Sequence, residues 1–336
     1  MKRRKFIKRS LQCGLALSIP LNVYGFNKGK SEKVSFGLSS DIHIDMMPDS
    51  KERIKTYLAH MKREKVDFLI DLGDFCHPTP NNIPFIDYWQ SFGIKTYYAL
   101  GNHDMDKGTK EDFMAFVGMK KRYYSFDRAG VHFVVLDPNN LYIDGEYIPY
   151  SNANFYKPSE QRAYIDPQQM EWLKEDLQKT NNPCLIFSHQ SFENPKACKN
   201  QNVVREIFEE CNRKAGYNKI VACFSGHDHT DLMKEINGIY YLQINSMSYQ
   251  WLGAKYQSEA RYSKELHKQF PHLKNIIPYK DPLYAKVTIG EGELVLEGVQ
   301  SSFVPPTPAD LGIKDGVYGD LPLVPLISDR KIEFPN

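Results

Sequence analysis

The chain has 336 residues, 41% hydrophobic and 25% charged, a balance that fits a folded globular protein and excludes a disordered or collagen-like one. Its formal charge of +2 comes from the first 25 residues, which hold six Lys and Arg and no acid; those six removed from 43 leave 37 basic side chains against 41 acidic ones. The remainder is therefore mildly acidic and has no basic run long enough to suggest a nucleic-acid surface.

At the N-terminus, Lys2, Arg3, Arg4, Lys5, Lys8 and Arg9 precede an apolar run from Leu11 to Val23, with a turn near Gly25. The run is too short to span a bilayer comfortably and has the layout of a signal peptide over residues 1–25. RRKFIK resembles the twin-arginine export signal, so the protein is expected to be exported, to the periplasm, with no membrane span in the mature chain. A frayed basic tail or an anchoring helix is the plainer alternative. Cys13 follows Gln12, where a lipoprotein signal needs a small residue, and this argues against lipidation. Five cysteines follow: Cys76, Cys184, Cys198, Cys211 and Cys223. Their odd number argues against a disulfide scaffold; Cys184 and Cys223 read as buried thiols, and a Cys198–Cys211 pair stays open.

From residue 33 onward, strand-like runs alternate with helical patterns. Strands are predicted over 33–40, 66–73 and 94–100, with helices near 50–64 and 109–118 between and after them. Residues 123–137 read as two strands joined by a tight turn at 127–130. Asp166 as cap and Pro167 at the first position mark a helix over 166–180. Strands at 184–189, 220–226 and 238–246, a helix near 202–215 and a hairpin over 284–299 complete a core domain spanning 33–300. Helices between short buried strands predict a layered α/β architecture, and the hairpins predict a partly antiparallel sheet. Residues 138–165 and 249–282 lack this rhythm and read as inserts. Their Tyr142, Tyr147, Tyr150, Tyr156, Tyr249, Trp251 and Tyr256 either stack on a base or sugar or pack on their own scaffold. Residues 301–336 form a Pro-rich C-terminal extension.

Five of the strands run into ligand chemistry at their carboxyl ends: Asp41-Ile42-His43, Gly73-Asp74, Gly101-Asn102-His103-Asp104, His189, and Gly226-His227-Asp228-His229. In α/β sheets that is where ligand sites assemble. In extended chain residues i and i+2 share a side, so Asp41 with His43, and His227 with His229, are expected to face one centre. Carboxylates, imidazoles and an amide suit Mn, Fe or Zn better than Cu(I). Asn139 and Asn140 also follow a strand and, with Tyr249 and Trp251, are candidate substrate contacts. Asp45, Asp71 and Asp228 read as solvated or supporting carboxylates, Cys76 and His77 as ordinary loop residues or, lying just after Asp74, as residues near the metals, and His60, His132, His267 and His272 as structural.

The ordered blocks resemble the calcineurin-like metallophosphoesterases, whose pattern is Asp-x-His, Gly-Asp, Gly-Asn-His-Asp/Glu, His, Gly-His-x-His. The resemblance implies a four-layer α-β-β-α sandwich with two mixed sheets and two divalent ions between them. Asp41, His43, Asp74 and His229 would hold the first ion, and Asp74, Asn102, His189 and His227 the second, with Asp74 bridging. His103 would stay off the metals and assist catalysis, oriented by Asp104. A hydroxide between the ions would attack the phosphorus of a phosphodiester or a nucleotide-type pyrophosphate in a small phosphorylated substrate. A phosphomonoesterase is the near alternative; a non-catalytic metal or phosphate-ligand binder, or a structural protein with a fossil site, lies further off.

Overall fold

The computed structural model of the chain describes residues 33–334, so the N-terminal segment read as an export signal lies outside the described residues. Strand and helix alternate at first: β1 (Val34–Ser39), α1 (Ser50–Glu64), β2 (Phe68–Asp71), α2 (Ile83–Ser91), β3 (Thr96–Tyr98) and α3 (Lys110–Val117). The hairpin of β4 (Tyr124–Arg128) and β5 (Val131–Val135) follows, then the ribbon of β6 (Asn140–Ile143) and β7 (Glu146–Pro149). Next come α4 (Pro167–Gln178), β8 (Cys184–Ser188), α5 (Gln201–Ala215), β9 (Ile220–Ser225) and the hairpin of β10 (Leu232–Ile236) and β11 (Ile239–Gln243). The last third holds β12 (Tyr249–Trp251), α6 (Lys264–Gln269), β13 (Ile276–Pro278), β14 (Ala285–Gly290), β15 (Glu293–Gly298), β16 (Val317–Tyr318), β17 (Leu321–Pro322) and β18 (Arg330–Glu333).

Two six-stranded sheets result, ordered β18-β15-β14-β1-β2-β3 and β10-β11-β9-β8-β5-β4. In the first, β1, β2 and β3 are parallel and the β14-β15-β18 side is antiparallel. In the second, β5, β8, β9 and β11 are parallel, with β4 and β10 added antiparallel at the edges. Both sheets are mixed, as expected.

Strand alternation explains why the sheets stack. Val34, Phe36 and Leu38 of β1 meet Val131, Phe133 and Val135 of β5 and Leu185 and Phe187 of β8 in one buried layer between the sheets. Phe36 lies at its middle, with ring centroids 5.3 Å from Phe68 and 5.9 Å from both Phe133 and Phe187. The intervening residues face outward. Leu69 and Tyr98 meet Ile54, Leu58, Trp89 and Phe113 of α1, α2 and α3, while Ile186, Cys223 and Tyr241 meet Leu173, Leu177, Val204 and Phe208 of α4 and α5. These are the four layers. Each buried Phe or Leu contributes about 1.5–3 kcal/mol relative to exposure, so the inter-sheet layer holds the two sets of strand ends in register.

Several elements were not legible beforehand. The helix α2 escapes a periodicity reading because it is short and opens on Ile-Pro-Phe, and β10 escapes because its residues are mostly exposed. The stretch 138–165 contains the β6–β7 ribbon, and 249–282 contains β12 paired with β13. The Pro-rich stretch after 300 turns back, and β18 joins the first sheet beside β15. Among the described residues all five cysteines are free, so Cys198 and Cys211 do not pair. No described helix is long and apolar enough to cross a membrane.

His132, on the outer face of β5, ties three elements together. Its Nδ1 lies 3.0 Å from Asp127 Oδ1 of β4 and its Nε2 2.9 Å from Asp176 Oδ2 of α4. Burial works against the charged ring, but the two carboxylates outweigh it and the pKa is raised above 6.5. A raised histidine stabilises the fold fully below its unfolded pKa and loses that effect as pH climbs through the folded value. The melting-temperature gap between wild type and His132→Gln should therefore be wider at pH 6 than at pH 9; equal gaps would refute the assignment.

Candidate metal centre

The carboxyl ends of β1, β2, β3, β8 and β9 gather at the rim between the sheets. Pairing continues past the strands: Asp41 N–H donates to Gly73 O and His43 N–H to Asp74 O, both at 3.0 Å. Asp41, His43, Asp74, His227 and His229 all have positive φ, between 49° and 70°. Left-handed backbone at a non-glycine residue costs of order 1–3 kcal/mol and persists only where the surroundings impose it. This corrects the extended-chain rationale: Asp41 and His43 reach one centre through a coiled turn, and His227 and His229 face two different ones. Two glycines make the crowding possible. A Cβ on Gly101 would overlap the Asp74 backbone and carboxylate, and one on Gly226 would overlap Ser40 Oγ and the Asp41 carboxylate.

Five buried side chains and the half-buried His227 form two adjoining groups, Asp41-His43-His229 and Asp74-His189-His227, with the ligand atoms of each within 4.8 Å of one another. Asp74 Oδ2 lies 3.1 Å from His189 Nε2 and 3.7 Å from His43 Nε2, which places it between the groups. Asp41 Oδ1 lies 3.1 Å from His229 Nε2. Asn102 stands at the end of β3, its Oδ1 3.4 Å from Gln190 Nε2, next to His189 in sequence.

Proton positions decide what this arrangement wants. His189 Nδ1 lies 2.9 Å from Leu72 O and His229 Nδ1 2.8 Å from Tyr249 O. A carbonyl only accepts, so both Nδ1 atoms carry hydrogen, and in the neutral rings both Nε2 atoms present lone pairs to carboxylates. His43 Nε2 and His229 Nε2 face each other at 3.4 Å, and His227 Nδ1 faces His189 Nε2 at 3.2 Å. Asp41 Oδ1 is buried without a hydrogen-bond partner.

The protein's own charges leave this unresolved. Burial holds His43 at about 3, and burial with repulsion from His189 holds His227 at about 4. Burial opposes charge on His189, yet Asp74 and Asp41 push it up to about 10. Burial would likewise raise Asp41 and Asp74, but neighbouring imidazoles hold both below the ordinary carboxylate range. Ionised carboxylates among imidazoles, with His43 and His227 held neutral and His189 driven to take a proton, make a donor set that fits two divalent cations.

His103 sits beside the groups, its ring 5.5 Å from that of His43 and its backbone N–H donating to Asp74 Oδ1 at 2.7 Å. Its expected partner is corrected. Asp104 does not touch the ring; its carboxylate accepts from the N–H groups of Gly101 (2.8 Å), Phe75 (2.8 Å), Asp74 (3.2 Å) and Cys76 (3.2 Å). Asp106 Oδ2 holds His103 Nδ1 instead, at 2.8 Å. His103 begins a 3₁₀ turn, where side chains three apart are aligned and adjacent ones diverge. Behind Asp106, His77 Nε2 lies 3.5 Å from its Oδ2, and His77 N–H donates to Asp45 Oδ2 at 2.7 Å. Burial disfavours charge on His77, but Asp106 and Asp45 raise its pKa to about 9.

A cavity of about 500 Å³ opens over His43, Asp74, His103, His227 and His229. Cys76 and His77, the loop residues that follow Asp74, line it too, as do Asp45, Asp106 and His272, which the sequence offered no reason to place there. Tyr249 is buried in its wall with its ring 5.1 Å from both His43 and His229, and Trp251 stands at its mouth. Asn139 and Asn140 are corrected: both are buried and neither lines the cavity. Asn139 donates to Leu100 O at 2.6 Å and accepts from Gln190 at 2.7 Å, so it braces the support of Asn102. Asn140 bonds Lys110 and Tyr164 O.

The profile of the calcineurin-like phosphoesterases matches residues 34–231. The chain belongs to the calcineurin-like phosphoesterase family. Like its family it is a metal-dependent phosphoric ester hydrolase acting on small phosphorylated substrates. No curated protein sequence matches it. Among solved structures it is similar to a dimetal phosphatase from Danio rerio, with 15% identity, a TM-score of 0.56, and 81% of this chain and 98% of that one covered. It is also similar to GAP50, the anchor in the inner membrane complex of Plasmodium, with 14% identity, a TM-score of 0.53 and 90% of each chain covered. At such identities the likeness concerns the fold.

The two aspartates of the phosphoesterase loop should separate cleanly. Asp104→Ala strips an acceptor from four buried N–H groups and should cost about 2 kcal/mol or more in urea unfolding, with bound metal lost as the loops loosen. Asp106→Asn should keep stability and metal content while turnover falls. Equal destabilisation by both would contradict the assignment.

Proposed function

We propose that this phosphoesterase is an exported phosphodiesterase, with Asp41, His43, Asp74, Asn102, His189, His227 and His229 holding two divalent ions and His103 acting on the substrate. The observation that carries this reading is His103, anchored by Asp106 2.8 Å from its Nδ1, beside the paired ligand groups and at the floor of the cavity. When bound, the ions supply charge neutralisation at phosphorus and a lowered pKa for the attacking water.

The protein's own residues supply the rest. With Nδ1 committed to Asp106, the other ring nitrogen of His103 is free to serve the substrate. The lone Nδ1 contact fixes the ring plane, and the Asp106 carboxylate stabilises its charged form. As the new oxygen–phosphorus bond forms and the ester oxygen–phosphorus bond breaks, His103 gives its proton to the departing oxygen; the proton released by the attacking water restores it. Asp74 couples the two halves, because one of its oxygens lies between the ligand groups and the other accepts the His103 backbone N–H.

His103→Ala should lower kcat by about 10²–10⁴-fold with two ions per chain retained, as read by elemental analysis of purified protein. Loss of metal in proportion to activity would make His103 a ligand instead. A wild-type protein with full metal and no turnover of any phosphoester would favour a non-catalytic binder. Export is tested separately: Arg3 and Arg4 both changed to Lys should trap the protein in the cytoplasm, and unchanged fractionation would refute the twin-arginine route.

A further inference from the structure

Beyond the ligand groups, the cavity has walls of an unusual composition. Four rings reach it from separate parts of the chain: Tyr156 after β7, Trp251 in β12, His272 after α6 and Tyr318 in β16. Tyr156 is 64% exposed and Trp251 41% exposed, although both are large enough to reward burial. Trp251 lies 6.1 Å, centroid to centroid, from His272, and Tyr156 lies 6.5 Å from His103. Both rings thus line the same cavity as the ligand groups and leave apolar surface open.

The charges lean the same way: the imidazoles in the wall that favour a proton, His77 and His103, are both already paired with Asp106. Among the described residues that line the cavity there is no Lys or Arg, whereas Asp45, Asp106 and Asp228 line it besides the ligand Asp74. A second phosphate or a carboxylate is most often held by guanidinium or ammonium groups. Lys196 is paired with Asp320 at 3.2 Å, and Arg162 acts on the Tyr156 hydroxyl from outside the cavity wall.

We propose that Tyr156, Trp251 and Tyr318 form a subsite for an uncharged, planar group esterified to a single phosphoryl group, such as a nucleoside or an aryl alcohol, and that the site disfavours a second phosphate. This rests on the phosphodiesterase reading and narrows it: the nucleotide-type pyrophosphate drops out, because its second phosphoryl charge would face aromatic rings, carboxylates and a His77 whose charge Asp45 and Asp106 already take up. A stacked ring needs only a flat apolar face, which is what the exposed Trp251 offers. Tyr249 is not part of the subsite, since its ring is buried between His43 and His229.

The test uses the metal-loaded full enzyme, with methyl p-nitrophenyl phosphate as reporter and three competing inhibitors: dimethyl phosphate, thymidine 5′-methyl phosphate, and the corresponding thymidine methyl diphosphate. The nucleoside monophosphate diester should inhibit about tenfold or more tightly than dimethyl phosphate, and the added phosphate should not improve on it. Trp251→Ala and Tyr156→Ala, both at exposed positions, should each shrink the ratio between the nucleoside and dimethyl inhibitors. Equal inhibition by those two, or a ratio unmoved in both variants, overturns the subsite while leaving the phosphodiesterase intact. A diphosphate that binds tenfold tighter, with the gain lost in Arg162→Gln, also overturns it and makes Arg162 a phosphate clamp. No turnover of the reporter by fully loaded enzyme removes the phosphodiesterase reading, and the subsite with it.

Discussion

Everything at the centre follows from an electrostatic problem that protons cannot solve. Two carboxylates and four imidazoles are packed out of water, with lone pairs turned toward one another at 3.1–3.4 Å. Protonating His189 relieves Asp74 and Asp41, while burial drives His43 down and burial with repulsion from His189 drives His227 down. Only charges larger than a proton's, placed at two points, satisfy the whole set. A fold that spends left-handed backbone on five of these residues maintains an arrangement its own chemistry leaves incomplete.

What holds that arrangement is backbone more than side chain. The loops after β1 and β2 remain hydrogen-bonded to each other beyond the strands, and the Asp104 carboxylate collects four N–H groups from two loops. Gly73 and Gly101 approach so closely that neither tolerates a Cβ. The ligands are thus fixed to rigid strand ends, and the strand ends to the phenylalanine layer between the sheets. Geometry that is preset in this way does not have to be organised by substrate.

The sequence disclosed the ligands because their chemistry is local and ordered. Asp41, His43, Asp74, His189, His227 and His229 could be read from short blocks at strand ends, and the structure brings them into two groups. Element types in the core were legible for a similar reason, since period-two and period-3.6 patterns are local. What stayed hidden depends on turn geometry or on distant segments. The choice between Asp104 and Asp106 turns on a 3₁₀ turn that no pattern announces. Asn139 looked like a contact because it follows a strand, yet its burial behind Gln190 depends on packing from β8. Asp45 and His77 acquire a role only through Asp106, and His272 and Tyr318 reach the cavity from regions without periodicity.

The C-terminal stretch illustrates how late completion matters. Tyr318 and Gly319 close one side of the cavity, Asn245 clasps the carbonyls of Val324 and Leu326, Asp231 secures Ser328, and β18 seals the first sheet. In chain order His229, the last residue of the two groups, precedes Tyr318 by 89 residues (318 − 229), so the groups are synthesised before that wall. A nascent chain could therefore gather its ions while the chamber is still open on one side, and acquire its selectivity last.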